Sequence, residues 1–208
     1  MAKKVNKERN LSTEEKIKEA ARVVFTQKGY AAAKTRDIAQ EAGINLALLN
    51  YYFRSKENLF EIIMMESAQK FFVSLKDILN DESTVLEKKL ELMIAEYIDM
   101  LISDPNFPLF MLSEIQANPE LLLSKMGAKD FLQRSVLFRQ LGQAIMKNEI
   151  NIHPLHYLMN IIGITVFPFI GKPLLRSVSG LSEEQFNALM LERKKLIPMW
   201  IKAAMKLK

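Results

Sequence analysis

The chain has 208 residues with no cysteine, 7 glycines and 7 prolines, and 49% of it is hydrophobic, so disulfides and thiolate metal sites are excluded and a sizeable core is affordable. The net charge of +5 is unevenly placed: residues 1–56 hold 12 Lys or Arg against 6 Asp or Glu, and the remainder holds 17 against 18. A basic head on a near-neutral body suits contact with phosphates, whose neutralisation releases counterions, although for the first ten residues a solvated arm is the plainer explanation.

With few glycines and prolines and no alternating β-branched runs, the pattern predicts an all-α protein. The N-terminal lysines are followed by no apolar core of a secretory leader. The most apolar run, 157–170, is interrupted by Asn160, Gly163 and Pro168 and falls short of the roughly 20 residues of a bilayer crossing, so it is expected as a buried helix. A cytoplasmic protein with no membrane partner is the expectation.

Taken in order, Ser12 and Glu15 have capping-box spacing, and Ile17, Ala20, Ala21, Val24 and Phe25 then recur on one helical face until Gly29 ends the helix, with Tyr30 at its corner. The stretch 35–56, TRDIAQEAGINLALLNYYFRSK, predicts two short helices around a glycine turn. Thr35 is placed to cap the first, whose Ile38, Ala39 and Ala42 share a face; Gly43 supplies a left-handed residue; Asn45 caps the second. On that second helix Leu48, Leu49, Tyr52 and Phe53 face inward, which turns Leu46, Ala47, Asn50 and Tyr51 outward.

The order Thr, Ile-Ala, Ala-Gly-Ile-Asn, Leu-Asn-Tyr-Tyr-Phe and then Ser55-Lys56-Glu57-Asn58-Leu59 resembles the DNA-binding domain of the TetR family of bacterial transcriptional regulators. The resemblance covers about the first quarter of the chain. It implies that the second helix enters the major groove of an operator duplex, with Asn45, Leu46, Ala47 and Asn50 nearest the bases and Thr35, Tyr51 and Lys56 at the phosphate backbone. Ala47 stands where many members have Gly and Asn50 where many have Tyr, so those individual contacts are this chain's own. The amide of Asn suits adenine, and Leu46 or Ala47 suits a thymine methyl.

The expected architecture is therefore a three-helix DNA-binding domain with a helix-turn-helix (1–55) followed by a larger helical ligand-binding and dimerisation domain of about nine helices (56–208). In the body, a long helix from Lys56 to about Leu79 would carry any tilt to the recognition helix. Amphipathic helices follow over 84–103 and 107–117, then one longer helix from Glu120 to about Lys147, with Met126, Phe131, Leu132, Val136, Leu137, Leu141 and Ile145 on its core face. Pro154 opens the apolar helix; 171–180 reads as a connection; Ser182 and Gln185 have capping-box spacing before a last helix kinked at Pro198. The two C-terminal helices are apolar enough to predict a four-helix interface between two copies, as the resemblance also implies, and a twofold dimer calls for a palindromic operator.

The body holds 11 of the 12 methionines. Met64, Met93, Met100 and Met111, with Phe107 and Phe110, are candidates to line a pocket for a small apolar effector, against the simpler alternative that they are core. No cofactor is called for. An enzyme is the rival class, but the inventory is poor: His153 and His156 at i, i+3 suggest a metal less than a helix start, and no Glu-x-x-His pair or Cys nucleophile is present. A Ser-His-Asp triad remains formally possible because its parts need not be close in sequence. A DNA-binding dimer without an effector is the other alternative.

Overall fold

The computed structural model describes residues 2–128, 131–150 and 153–205, with side chains over 13–128, 131–150, 153 and 155–204. The described residues form twelve helices: α1 (Ala2–Ala32), α2 (Thr35–Ala42), α3 (Leu46–Phe53), α4 (Lys56–Asn80), α5 (Leu86–Ser103), α6 (Phe107–Ala117), α7 (Pro119–Lys125), α8 (Phe131–Arg134), α9 (Val136–Met146), α10 (Pro154–Ile170), α11 (Lys172–Ser179) and α12 (Glu183–Met205). The chain divides into two compact units, Met1–Ala68 and Gln69–Lys208. The motif ends near residue 55, but the first unit extends into α4 because Leu59, Ile63, Met64 and Ala68 are all buried there.

In the first unit α1 runs unbroken through Ser12, so the expected cap there does not start it; the preceding AKKVNKERNL has no Gly or Pro to stop a helix. Gly29 does interrupt it, with φ 73° and ψ 159° inside the helical span. Ile17, Ala21, Val24 and Phe25 on α1, Ile38 and Ala42 on α2, and Leu49 and Phe53 on α3 make the core, each at most 4% exposed. An ionic network ties α1 to α4: Lys18 Nζ meets Glu15 at 2.6 Å and Glu66 at 2.7 Å, while Arg22 meets the other Glu66 oxygen at 2.9 Å and donates to Ser67 Oγ at 3.0 Å. Burial opposes the Lys18 charge, yet the bonds to Glu15 and Glu66 outweigh it and raise its pKa.

In the second unit α5 packs against α12, α10 and α9, and α10 packs against α12, α6 and α11. The single helix expected over 120–147 is three pieces. Gly127, at φ 62°, closes α7 with Ala128 N–H donating to Leu123 O at 2.9 Å, and Ser135 Oγ caps α9 by accepting from Phe138 N–H at 3.2 Å. The 171–180 connection is itself helical, as α11, closed by left-handed Gly180. The Ser182 capping box forms as expected: Ser182 N–H donates to Gln185 Oε1 at 2.8 Å and Gln185 N–H to Ser182 Oγ at 3.2 Å.

α10 is not a fully buried helix. Tyr157, Ile161, Thr165 and Phe169 face in, whereas Leu155, Leu158, Met159, Ile162 and Phe167 are exposed. Pro168 has no N–H for Ile164 O, and Arg193 of α12 fills that place, donating at 2.7 Å. Among the described residues no single helix is long and apolar enough to cross a membrane; α10 and α11 together have the length but are bent 63° apart.

Candidate nucleic-acid interface

α2 begins one residue earlier than expected. Lys34 occupies the N-cap in an extended conformation and its N–H donates to Asp37 Oδ2 at 3.1 Å, so Thr35 is the first helical residue and not the cap. A carboxylate at the third helical position satisfies an otherwise open amide, and Lys28 pairs with it at 3.0 Å. The bond from Lys28, then that from the Lys34 amide, holds the Asp37 carboxyl below its usual pKa. At the other end Gly43 adopts φ 63°, ψ 37°; its N–H reaches Gln40 O at 3.1 Å and the Ile44 N–H reaches Ala39 O at 3.0 Å. This left-handed residue turns the chain within two residues, which only glycine does without a Cβ penalty.

Asn45 then caps α3 as expected, Oδ1 accepting from Leu48 N–H at 2.8 Å. Leu49 is 0% exposed and Phe53 2%, whereas Tyr51 is 80% exposed; Ala47 and Asn50 are exposed with it, and Leu46 is half-buried. The outer face is thus Ala47, Asn50 and Tyr51, with Tyr51 edge-on to Tyr52 at 5.5 Å. After α3, Arg54 takes φ 62°, an uncommon conformation for a non-glycine residue; Asn58 Nδ2 fixes the turn by donating to Phe53 O at 2.9 Å, and Ser55 Oγ accepts from Asn58 N–H at 3.1 Å.

Lys56 has a second occupation that the sequence did not announce. Its ammonium donates to Tyr30 O at 3.0 Å and Ala33 O at 3.1 Å and lies 4.3 Å from the Tyr30 ring centroid. It therefore fastens the end of α1 to the start of α4, beside an aromatic cluster in which Tyr30 and Phe60 stand 4.4 Å apart and Phe25 and Phe60 5.1 Å. Burial, then the charge of Glu57, raises the Tyr30 pKa. Lys34, Arg36 and Arg54 are exposed cations flanking the motif that motif matching passed over; their position at helix ends was the available signal.

The six candidate effector residues are not gathered into a cavity. Met64 is 2% exposed and belongs to the first unit; Phe107 and Phe110 are buried in the second, and Met93, Met100 and Met111 are half-buried there. Phe107 stacks edge-on to Phe71 at 6.2 Å, and Phe71 lies 4.7 Å from Tyr97, whose hydroxyl pKa burial pushes up to about 12. Two cavities in the second unit, of about 500 Å³ between α5 and α12 and about 450 Å³ at the start of α5, are lined by other residues. His153 caps α10, its Nδ1 accepting from Leu155 N–H at 3.2 Å, and among the described residues no group of three metal-ligating side chains is assembled.

Residues 17–63 match the family model described as bacterial regulatory proteins, tetR family. Over 197 residues the chain is 22% identical to a probable HTH-type transcriptional regulator, YttP, of Bacillus subtilis, covering 93% of this chain and 94% of that protein. Among solved structures it is similar to the fatty acid degradation regulator FadR from Bacillus halodurans (TM-score 0.62, 18% identity, 94% of this chain and 97% of that one). It is similar also to FadR from Bacillus subtilis, solved in complex with stearoyl-CoA (TM-score 0.57, 21% identity, 88% and 96%). An all-α chain whose exposed helix follows a glycine turn, among relatives that are transcriptional regulators, is a helix-turn-helix transcriptional regulator. It belongs to the TetR family.

Proposed function

We propose that this regulator is a ligand-responsive repressor working in the cytoplasm, which binds a palindromic operator as a homodimer and is released by a small, mainly apolar effector. The observation that carries the dimer is the apolar face of the C-terminal helices: Leu158, Met159 and Ile162 on α10 and Leu189, Met199 and Trp200 on α12 are all more than 40% exposed in one chain. Apolar stripes on two helices are covered when they meet their copies in a four-helix arrangement, and the twofold axis then presents two recognition helices to one side of the DNA.

In this reading Asn45, Leu46, Ala47 and Asn50 lie nearest the bases, and Thr35, Tyr51 and Lys56 meet phosphates, joined by Lys34, Arg36 and Arg54. The exposure of Ala47, Asn50 and Tyr51 supports it. Lys56, already giving two hydrogens to carbonyls, has one left for a phosphate oxygen. The likeness to a regulator crystallised with stearoyl-CoA supports an effector with a long apolar part. Such a molecule releases DNA only by binding the DNA-incompetent state more tightly.

The test is a fluorescence-anisotropy titration on DNA from upstream of the protein's own gene, against unrelated duplex, at two salt concentrations. Tight, salt-sensitive, sequence-selective binding with two chains per site is the expected result. Equal weak binding to both duplexes, or one chain per site at saturation, overturns the reading.

A further inference from the structure

α5 starts without a side-chain cap, Val85 standing at its N-cap. The cavity of about 450 Å³ that opens there is lined by Val85, Leu86 and Glu87, by Gln140 and Ala144 of α9 and by Lys202 of α12, among others. Gln140 Nε2 donates to Thr84 O at 2.9 Å, and the same carbonyl accepts from Lys89, a fully buried lysine that also bonds Thr84 Oγ1 at 2.7 Å and the Asp81 carbonyl. This fixes the amide: reversed, it would set oxygen against oxygen. Gln140 Oε1 is therefore the free end, buried and without a hydrogen-bond partner among the described residues.

Tyr157 of α10 is 4% exposed, and its hydroxyl has no partner among the described residues either. It lies close enough to Glu87 that the carboxylate's charge adds to burial in raising its pKa. Glu87 is held by Lys202 at 3.0 Å, and this pair lines both the cavity and the neighbouring groove of about 500 Å³, whose walls include Leu90, Pro198 and Ile201. A polar end with an unmet acceptor thus adjoins an apolar trough.

The lining charges decide the ligand class. Lys147 and Lys202 are offset by Glu87 and Glu149, and Lys202 is already paired, so an anion gains little; Gln140 Oε1 can only accept, so the ligand must donate. We propose that this cleft binds an uncharged amphiphile whose hydroxyl or primary amide donates to Gln140 Oε1 and meets the Tyr157 hydroxyl, with its chain passing the Glu87–Lys202 pair into the α5–α12 groove. The site rests on reading the body as a ligand-binding domain, and gives that reading a place and a chemistry. Occupancy polarises the Gln140 amide and strengthens its bond to Thr84, tightening the turn that ends α4.

Calorimetric titration of the full chain with octanamide and 1-octanol, against methyl heptanoate, which has no donor, tests it. The expected result is saturable binding of the two donors, one molecule per chain, and at least roughly tenfold weaker binding of the ester. Gln140→Leu weakens octanamide binding by roughly five- to tenfold. Tyr157→Phe also weakens it while leaving the melting temperature unchanged or higher, since it deletes an unpaired hydroxyl; this covers the case in which loss of the Thr84 bond unfolds the first variant. Equal affinity for amide and ester, no binding at the solubility limit, or indifference to both substitutions overturns the site. Octanamide that binds through Gln140 without changing DNA affinity upholds the site and ends its claim to control. A ligand that changes DNA affinity equally in wild type and Gln140→Leu upholds control and overturns the site.

Discussion

The two units differ in how fully their polar groups are satisfied. In the first, the short helices begin at local acceptors: Asp37 for the Lys34 amide, Asn45 for Leu48, Ser55 for Asn58. In the second, α5 and α6 begin with no side-chain cap, and the buried polar side-chain atoms that lack partners among the described residues, on Gln140, Tyr157, Thr165 and Arg193, all lie there. A surface that reads DNA must be presented in one geometry, and a local code with every helix end satisfied specifies one. A body that answers to a ligand keeps groups for the ligand to satisfy, and keeps them where alternative arrangements lie close in energy.

The largest expected effect tests the rigidity of the first unit at the two faces of α3. Leu49→Ala removes a fully buried side chain and should cost about 2–5 kcal/mol of unfolding free energy in urea, whereas Tyr51→Ala should stay within about 0.5 kcal/mol yet weaken DNA binding. If Tyr51→Ala destabilises like Leu49→Ala, the outward face is assigned wrongly.

Lys56 and Asn50 separate the fastening of the unit from its reading. Lys56→Met deletes a cation bonded to two carbonyls, Tyr30 O and Ala33 O, and should lower stability by about 2 kcal/mol as well as weaken binding to all sequences alike. Asn50→Ala should leave stability unchanged and relax preference by about 1–3 kcal/mol at one base pair, measured by competition among single-base operator variants. Equal losses on specific and unrelated DNA for both would show that Asn50 does not read a base.

The legibility of the sequence follows the same division. The outward triad of α3, the Gly43 turn, the Asn45 cap and the Gly29 interruption were all readable, because each depends on residues within four positions of one another. Thr35 was misread by one position because the deciding group, Asp37, caps from inside the helix. In the body, hydrophobic period alone joined 120–147 into one helix; it does not sense Gly127 in a left-handed conformation or Ser135 as a new cap. Nor does it reveal that Lys89, one of a polar pair in an amphipathic pattern, is fully buried, since its acceptors are backbone carbonyls of the preceding turn and those belong to every sequence. The methionine cluster failed as a pocket for a related reason: residues sharing a face in sequence were shared out between two units and a packed aromatic core.

Ser135 offers a smaller test of the comparison. Its hydroxyl accepts from Phe138 N–H and donates to Leu132 O at 2.8 Å, so it joins α8 to α9 where the sequence suggested no break. Ser135→Ala should cost about 1 kcal/mol in thermal unfolding, the ordinary worth of an N-cap. A neutral result would show that the second unit tolerates an open helix end here too, widening the contrast with the first.

The smallest effect concerns pH and the first unit alone. Asp37 accepts from the Lys34 amide and pairs with Lys28, and its folded pKa lies below its ordinary value. A depressed folded pKa means that the unfolded chain takes up the proton first, so the Asp37 contribution is fully present above the unfolded value of about 3.9 and is lost as pH falls through the folded one. Asp37→Asn should therefore melt lower than wild type at pH 7, with the gap closing as both are taken to more acid pH. High salt should shrink the Lys28 part of the gap and spare the part owed to the amide, because a backbone hydrogen bond is not screened as an exposed ion pair is. A gap that persists in acid would mean that the carboxylate's charge is not what starts α2, and the local code of the first unit would then rest on Gly43 and Asn45 without it.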